Sequence, residues 1–235
     1  MRTLFYVPII HMDVDLGSLA EDVAKRGIRD LGEDIWAKHK ETVSGFWDSI
    51  IEYFDNLEVS GFKIYQDGMI ADGDIGQKIV EEGLKSGSKN YEIISKLLQR
   101  GAILVKTEDF ALVVEERDRL RQLTTKKNIA KLIAYLKYRL IKNQLLEKRD
   151  RFIANRINQT LNSGETGILF IGAYHNIIPM LDKDIHVKEI KEIKKIRDYH
   201  KVLLHVGKDR ERFEALSEYL ISPIQSSQEE ISCGD

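Results

Sequence analysis

The sequence predicts an α/β protein with a mostly parallel central sheet of about four to five strands, flanked by helices and carrying a long helical hairpin insertion. Three observations carry this expectation. Short apolar or β-branched runs recur at residues 3–10, 61–66, 101–106 and 167–172. Segments of helical spacing separate them, and no Gly or Pro lies between Gly101 and Gly164. Strands alternating with helices favour parallel pairing, because a parallel crossover needs a covering element of its own.

In chain order, TLFYVPII (3–10) reads as the first strand from its β-branched and aromatic content. Ser18 and Glu21 fit a capping box, in which hydroxyl and carboxylate satisfy the first free N–H groups of a helix, and helices follow across 18–56. GFKIYQ (61–66) is the second strand; helices at 74–84 and 89–99 lead to the third, GAILVK (101–106). A single helix across the Gly- and Pro-free stretch would run about 90 Å, too long for a compact domain of this size. It therefore reverses, and Leu123 to Asn128 offers the hydroxyl and amide side chains that cap two helix ends. A second break is expected at Glu147 to Asp150. GILFIG (167–172) is the fourth strand. Ile190, Ile193, Ile196, Tyr199 and Leu203 give a helical period across 189–206, with a strand at Val202 to Leu204 as the alternative. A last helix at 208–222 stops at Ser222-Pro223. The expected organisation is one α/β domain over 1–222, a helical insertion near 108–162, and a flexible polar tail at 223–235.

The chain has 235 residues, 43% hydrophobic and 31% charged, which excludes a disordered or fibrous protein. Its net charge of −2 gives no global attraction to nucleic acid or anionic membrane. From Arg117 to Arg156 there are 13 Lys and Arg against 3 acids, a local footprint for a polyanion. No RNA-binding signature accompanies it, and Tyr135, Tyr138 and Phe152 fall at core-like helical spacing, so nucleic acid ranks last among the partners. The single cysteine, Cys233, lies near the C-terminus and excludes an intrachain disulfide or a cysteine-ligated metal. With no apolar run approaching the roughly 20 residues that span a bilayer, the expected setting is cytoplasmic, without a membrane. Trp36, Phe46, Trp47, Tyr53 and Phe54 read as core, with a homodimer face or substrate groove as the alternative.

Ligands of open parallel sheets bind beyond the carboxyl ends of the strands. Here those ends carry His11, Asp67, Glu108 with Thr107 and Asp109, and His175. Two imidazoles and a carboxylate suit a divalent metal that acidifies water, with a second carboxylate as general base. The plainer assignment is that the histidines bond backbone while Asp13, Asp15, Thr107 and Asp109 cap helices. His39 reads as a surface residue. Asp72 to Gly76 has the look of a calcium loop without its terminal glutamate, since residue 83 is glycine.

Arg149-Asp150 ahead of Ile153-Ala154, then Gly167 to Gly172 and Gly172-Ala173-Tyr174-His175, resembles the late motifs of the TraB/PrgY and TIKI proteins of the EreA/ChaN-like group. That family carries an Arg-Asp pair opening a helix and an apolar strand ending in Gly-x-x-His. The strand ending at His11 resembles its earlier Gly-x-x-His, with Pro8 in place of the glycine. Ile153 stands where methionine is common, and Gln66-Asp67 where glutamate is expected. The resemblance implies an α/β fold and a metal-dependent hydrolase of peptide or amide bonds, using manganese or cobalt rather than zinc. It implies His11 and His175 as metal ligands, Arg149 as anchor or transition-state stabiliser, and Glu115 or Glu116 as acidic partner; the strand-end residues then add Asp67 or Glu115 as a further ligand and Glu108 or Glu116 as proton shuttle. The partner would be a small-molecule or peptide substrate. The rival reading is a non-catalytic module holding a small ligand, haem or peptide on the same scaffold.

Overall fold

A computed structural model describes residues 1–12, 20–125 and 128–225. Its five strands are β1 (Arg2–Ile9), β2 (Lys63–Gln66), β3 (Ile103–Val105), β4 (Thr166–Gly172) and β5 (Ile185–Glu189). They form one all-parallel sheet in the order β3-β2-β4-β1-β5. Eight α-helices are present among the described residues: α1 (Ala20–Leu31), α2 (Glu33–Asp55), α3 (Gly73–Lys85), α4 (Lys89–Gln99), α5 (Phe110–Thr125), α6 (Asn128–Thr160), α7 (Ile193–Leu203) and α8 (Arg210–Ile221). The α/β expectation holds, and the first four strands fall where the apolar runs put them.

Alternation along the strands builds two apolar layers. Val7, Ile9, Ile64, Ile168 and Phe170 face a layer completed by α2, α4, α7 and α8. Leu4, Tyr6, Tyr65, Leu169 and Ile171 face Ile153, Ala154 and Ile157 of α6 and Leu161 just beyond it. Successive residues of a strand point to opposite faces, so a strand covered on both sides is apolar throughout. Trp36, Phe46, Trp47, Tyr53 and Phe54 are all buried, which makes them core.

Three expectations are corrected. The fifth strand is Ile185–Glu189, and Val202 and Leu203 are helical. As an edge strand β5 alternates Ile185 and Val187 with His186 and Lys188, so it lacks the continuous apolar run of its neighbours. The helix of α7 begins only at Ile193, where Glu189 accepts its N–H at 2.8 Å. The break expected at Glu147 to Asp150 does not occur: α6 runs through it, supported by an i,i+4 pair of Arg151 and Glu147 at 2.6 Å. α5 ends at Thr125, α6 begins at Asn128 and the two helices pack against each other, as the reversal expected at residues 123–128 requires. The Ser18 cap, Asp13, Asp15 and the tail from residue 226, Cys233 included, lie outside the described residues.

The direction of α6 positions the site. Its C-terminal end meets the start of the sheet, where the Arg2 guanidinium donates to the Leu161 carbonyl at 3.2 Å and the Tyr65 and Thr160 hydroxyls bond at 2.8 Å. Eleven residues earlier on the same helix, about 16 Å at 1.5 Å per residue, Arg149 and Asp150 lie over the carboxyl ends of the strands. The chain leaving β1 covers one face with α2, while that leaving β4 places Ile177 on the other. Such divergence of neighbouring strands opens a crevice at their carboxyl ends.

His39 is half-buried, against the expectation of a surface residue. Its Nδ1 lies 2.8 Å from the Tyr199 hydroxyl, and Trp36 packs at 5.2 Å between ring centres. Burial, with a further contribution from His200, pushes its pKa down to about 4. A folded-state pKa below the unfolded value of about 6.5 contributes stability above pH ~6.5 that is lost as pH falls towards 4. Urea midpoints measured from pH 7 to 4 should therefore fall more steeply for wild type than for His39→Gln; parallel curves would show that His39 does not titrate in this way.

Candidate functional site

Asp67 follows β2 directly, in a turn where Gly68 takes φ +79°. The Asp67 N–H donates to the Phe170 carbonyl at 2.8 Å, and the Met69 carbonyl accepts the N–H groups of both Thr107 and Glu108 at 2.9 Å. Thr107 adds a hydroxyl that donates to the Val105 carbonyl at 2.9 Å and accepts the Gln66 N–H at 3.0 Å. The ends of β2, β3 and β4 are thus locked to one another. Asp109 caps α5, accepting the N–H groups of Ala111 and Leu112 at 2.8 and 3.1 Å, as the plainer assignment has it.

Arg149 reaches across this platform. Its Nη2 donates to Asp67 Oδ1 at 2.6 Å and to Glu108 Oε1, its Nε donates to Glu108 Oε2 at 3.3 Å, and its Nη1 donates to Glu116 Oε2 on α5. Asp150 serves a second group: its Oδ1 lies 2.5 Å from His175 Nδ1, and its Oδ2 accepts the Asn176 N–H at 2.9 Å. Asp67 joins the two. Its Oδ2 accepts the Gly172 N–H at 3.1 Å and stands 3.5 Å from His175 Nε2.

The electrostatics follow from burial and pairing. Burial opposes the Asp67 charge, yet the His175 hydrogen bond and charge, with Arg149 and His11, hold the carboxyl far below the usual carboxylate range. Burial also opposes a charged His175, but the hydrogen bonds it donates to Asp150 and Asp67 raise it to about 9. Burial pushes Glu108 up to about 7 against the pull of Arg149. Arg149 stays firmly protonated among its carboxylates despite its burial.

Of the residues singled out in the sequence, Asp67, Glu108, Glu116, Arg149 and His175 come together. His11 stands exposed at the end of β1, near enough for its charge to bear on Asp67 and on His200. Glu115 is not in this group: it pairs with Arg119 on its own helix at 2.5 Å. Glu108 has no exposed side-chain surface and both its oxygens are on Arg149, whereas Glu116 is 22% exposed. Asp150 and Thr107 complete the site without having been given a role in it; the adjacency of Asp150 to Arg149 was the available signal.

Among the described residues, no three His, Cys, Asp or Glu side chains stand together at metal-binding spacing. Of the expected ligands, only His175 Nε2 and Asp67 Oδ2 stand close together, at 3.5 Å, and both Asp67 oxygens already accept hydrogen bonds, from Arg149 and the Gly172 N–H. A carboxylate behind the second ring nitrogen, as Asp150 is here, orients a ligating histidine. Arg149 and His175 together face four carboxyl groups, Asp67, Glu108, Glu116 and Asp150. Comparison with protein-family models, curated proteins and solved structures gives no match to this chain. Among the described residues no helix is long and apolar enough to cross a membrane.

Removing one partner of a buried ion group costs about 3–5 kcal/mol, because the remaining charges stay buried and unpaired. Arg149→Leu should lower unfolding free energy by that order in urea titrations, and a loss below about 1 kcal/mol would show that the cluster relaxes into water.

Proposed function

We propose that the chain is a metal-dependent hydrolase of peptide or amide bonds, of TraB/TIKI-like type, with its centre at the carboxyl ends of β1, β2 and β4. The observation that carries this reading is the continuous chain of contacts from Asp150 through His175 and Asp67 to Arg149. His175, Asp67 and His11 would hold the cation, manganese or cobalt in preference to zinc. When bound, the cation polarises the scissile carbonyl and acidifies water.

The protein's own groups divide the remaining work. Asp150 accepts the Nδ1 proton of His175, so a cation would take the place of the proton on Nε2, the nitrogen turned towards Asp67. Arg149 anchors the carboxylates, since four of its donor contacts are already to protein oxygens. Glu116, with Oε2 on Arg149, keeps Oε1 to take and return a proton at the solvent side. Glu108, sealed behind Arg149, is a positioning residue. Gly172 lets the walls close: a Cβ there would lie 3.3 Å from Asp67 Oδ2 and 3.4 Å from His175 Cδ2.

Calorimetric titration of manganese, cobalt and zinc into wild type and His175→Ala tests the reading, together with a fluorogenic peptide-amide panel. Stoichiometric binding in wild type, its loss in the variant, and metal-dependent turnover reduced at least a hundredfold in Glu116→Gln are the expected results. Equal binding by both proteins would remove the metal assignment. Absence of turnover with binding intact would favour a non-catalytic module.

A further inference from the structure

A cleft of about 850 Å³ opens between the carboxyl ends of β4 and β5 and the first turns of α7, with His175, Glu189, Lys194, Arg197 and Asp198 in its walls. Of its three acidic groups, Asp198 and Glu192 are in ion pairs and Glu189 is in none among the described residues. Asp198 pairs with Arg212 at 3.2 Å and Lys201 at 3.4 Å, Glu192 pairs with Lys195 at 2.7 Å, and Glu189 accepts the Ile193 N–H.

Against that one carboxylate stand two basic groups without ion pairs, Arg197 and Lys194. Arg197 donates to the carbonyls of Ala173 at 2.6 Å and His175 at 3.2 Å, neutral acceptors that leave its charge uncompensated. Neither it nor the exposed Lys194 forms an ion pair among the described residues. Behind the cleft, outside its lining, lies an unpaired hydroxyl. Tyr6 is wholly buried in the layer that contains Ile193 of the cleft wall, and its hydroxyl has no hydrogen-bond partner in the structure. Arg197, Asp150, Glu189 and Asp67 are the charges that bear on that hydroxyl, which burial keeps protonated and therefore a donor. A buried hydroxyl left unpaired costs free energy that an entering acceptor or ordered water recovers.

We infer that this cleft binds the carboxylate of a peptide-like ligand, with Arg197 and Lys194 compensating its charge, and so delivers the ligand to His175. The peptide-like ligand and its delivery rest on the hydrolase reading; the selection of a carboxylate does not. The site then selects ligands ending in a free carboxylate over their neutral counterparts, because two cations without carboxylate partners line the approach.

The test is calorimetric titration of the full chain with N-acetyl-dialanine and with its C-terminal amide. The acid should bind at least tenfold more tightly than the amide. Lys194→Glu, at an exposed position, should weaken the acid about tenfold and leave thermal stability unchanged; Arg197→Gln should weaken it as well, but also loosens two backbone carbonyls. Equal affinity for acid and amide, no binding of either, or an unaltered affinity in Lys194→Glu would overturn the inference. Carboxylate-selective binding without any hydrolysis would keep the cleft and remove the hydrolase; hydrolysis of both ligands with Lys194→Glu unaltered would do the reverse.

Discussion

Arg149 meets carboxylates delivered by three separate parts of the chain, from the ends of β2 and β3 and from α5, and the architecture of the carboxyl-terminal side of the sheet depends on that meeting. A guanidinium offers five donors in a fixed plane, so it can hold Asp67, Glu108 and Glu116 at once where a lysine would present a single point charge. Desolvating such a group is costly unless each charge is matched. The contacts therefore hold one another in place: β2 and β3 are pinned through the Met69 carbonyl and Thr107, and α5 is drawn towards α6 by Glu116.

Asp67 is where positioning and reactivity join. One oxygen belongs to Arg149; the other belongs to the Gly172 amide and faces His175. Two helix residues in succession, Arg149 and Asp150, feed the two halves because their side chains diverge by roughly 100° around α6. The helix is held at that rotation by Ile153, Ala154, Ile157 and Leu161 packed on the sheet. Its geometry at the site is thus set by apolar contacts one to three turns away. The cleft beside His175 is of another character, lined by charges on α7 and the end of β5, with the Tyr6 hydroxyl in the apolar layer behind it.

Much of this was legible in the sequence because buried parallel strands leave continuous apolar runs, and the residues after each run are the ones that meet at a crevice. Asp67, Glu108 and His175 were reachable in that way. The edge strand β5 was not, because half its residues face solvent and its pattern dilutes into the helix that follows. The continuity of α6 through Glu147 to Asp150 was hidden by a run of charges that reads as a surface break, although two of those charges turn inward. His39 has the polar sequence neighbours of a surface residue, and only the packing of Tyr199 and Trp36 against it shows otherwise.

What the sequence determined by itself is the α/β class, four of the five strands, the reversal between α5 and α6, and which residues stand at strand ends. Those features follow from local hydrophobic pattern and from where glycine and proline are absent, which neighbouring residues alone specify. The tertiary structure decided which member of each adjacent pair enters the site: Glu116 joins Arg149 while Glu115 stays on its own helix, and Asp150 turns to His175. Rotation of a helix about its axis is fixed by the surface it packs against, and residues distant in the chain supply that surface.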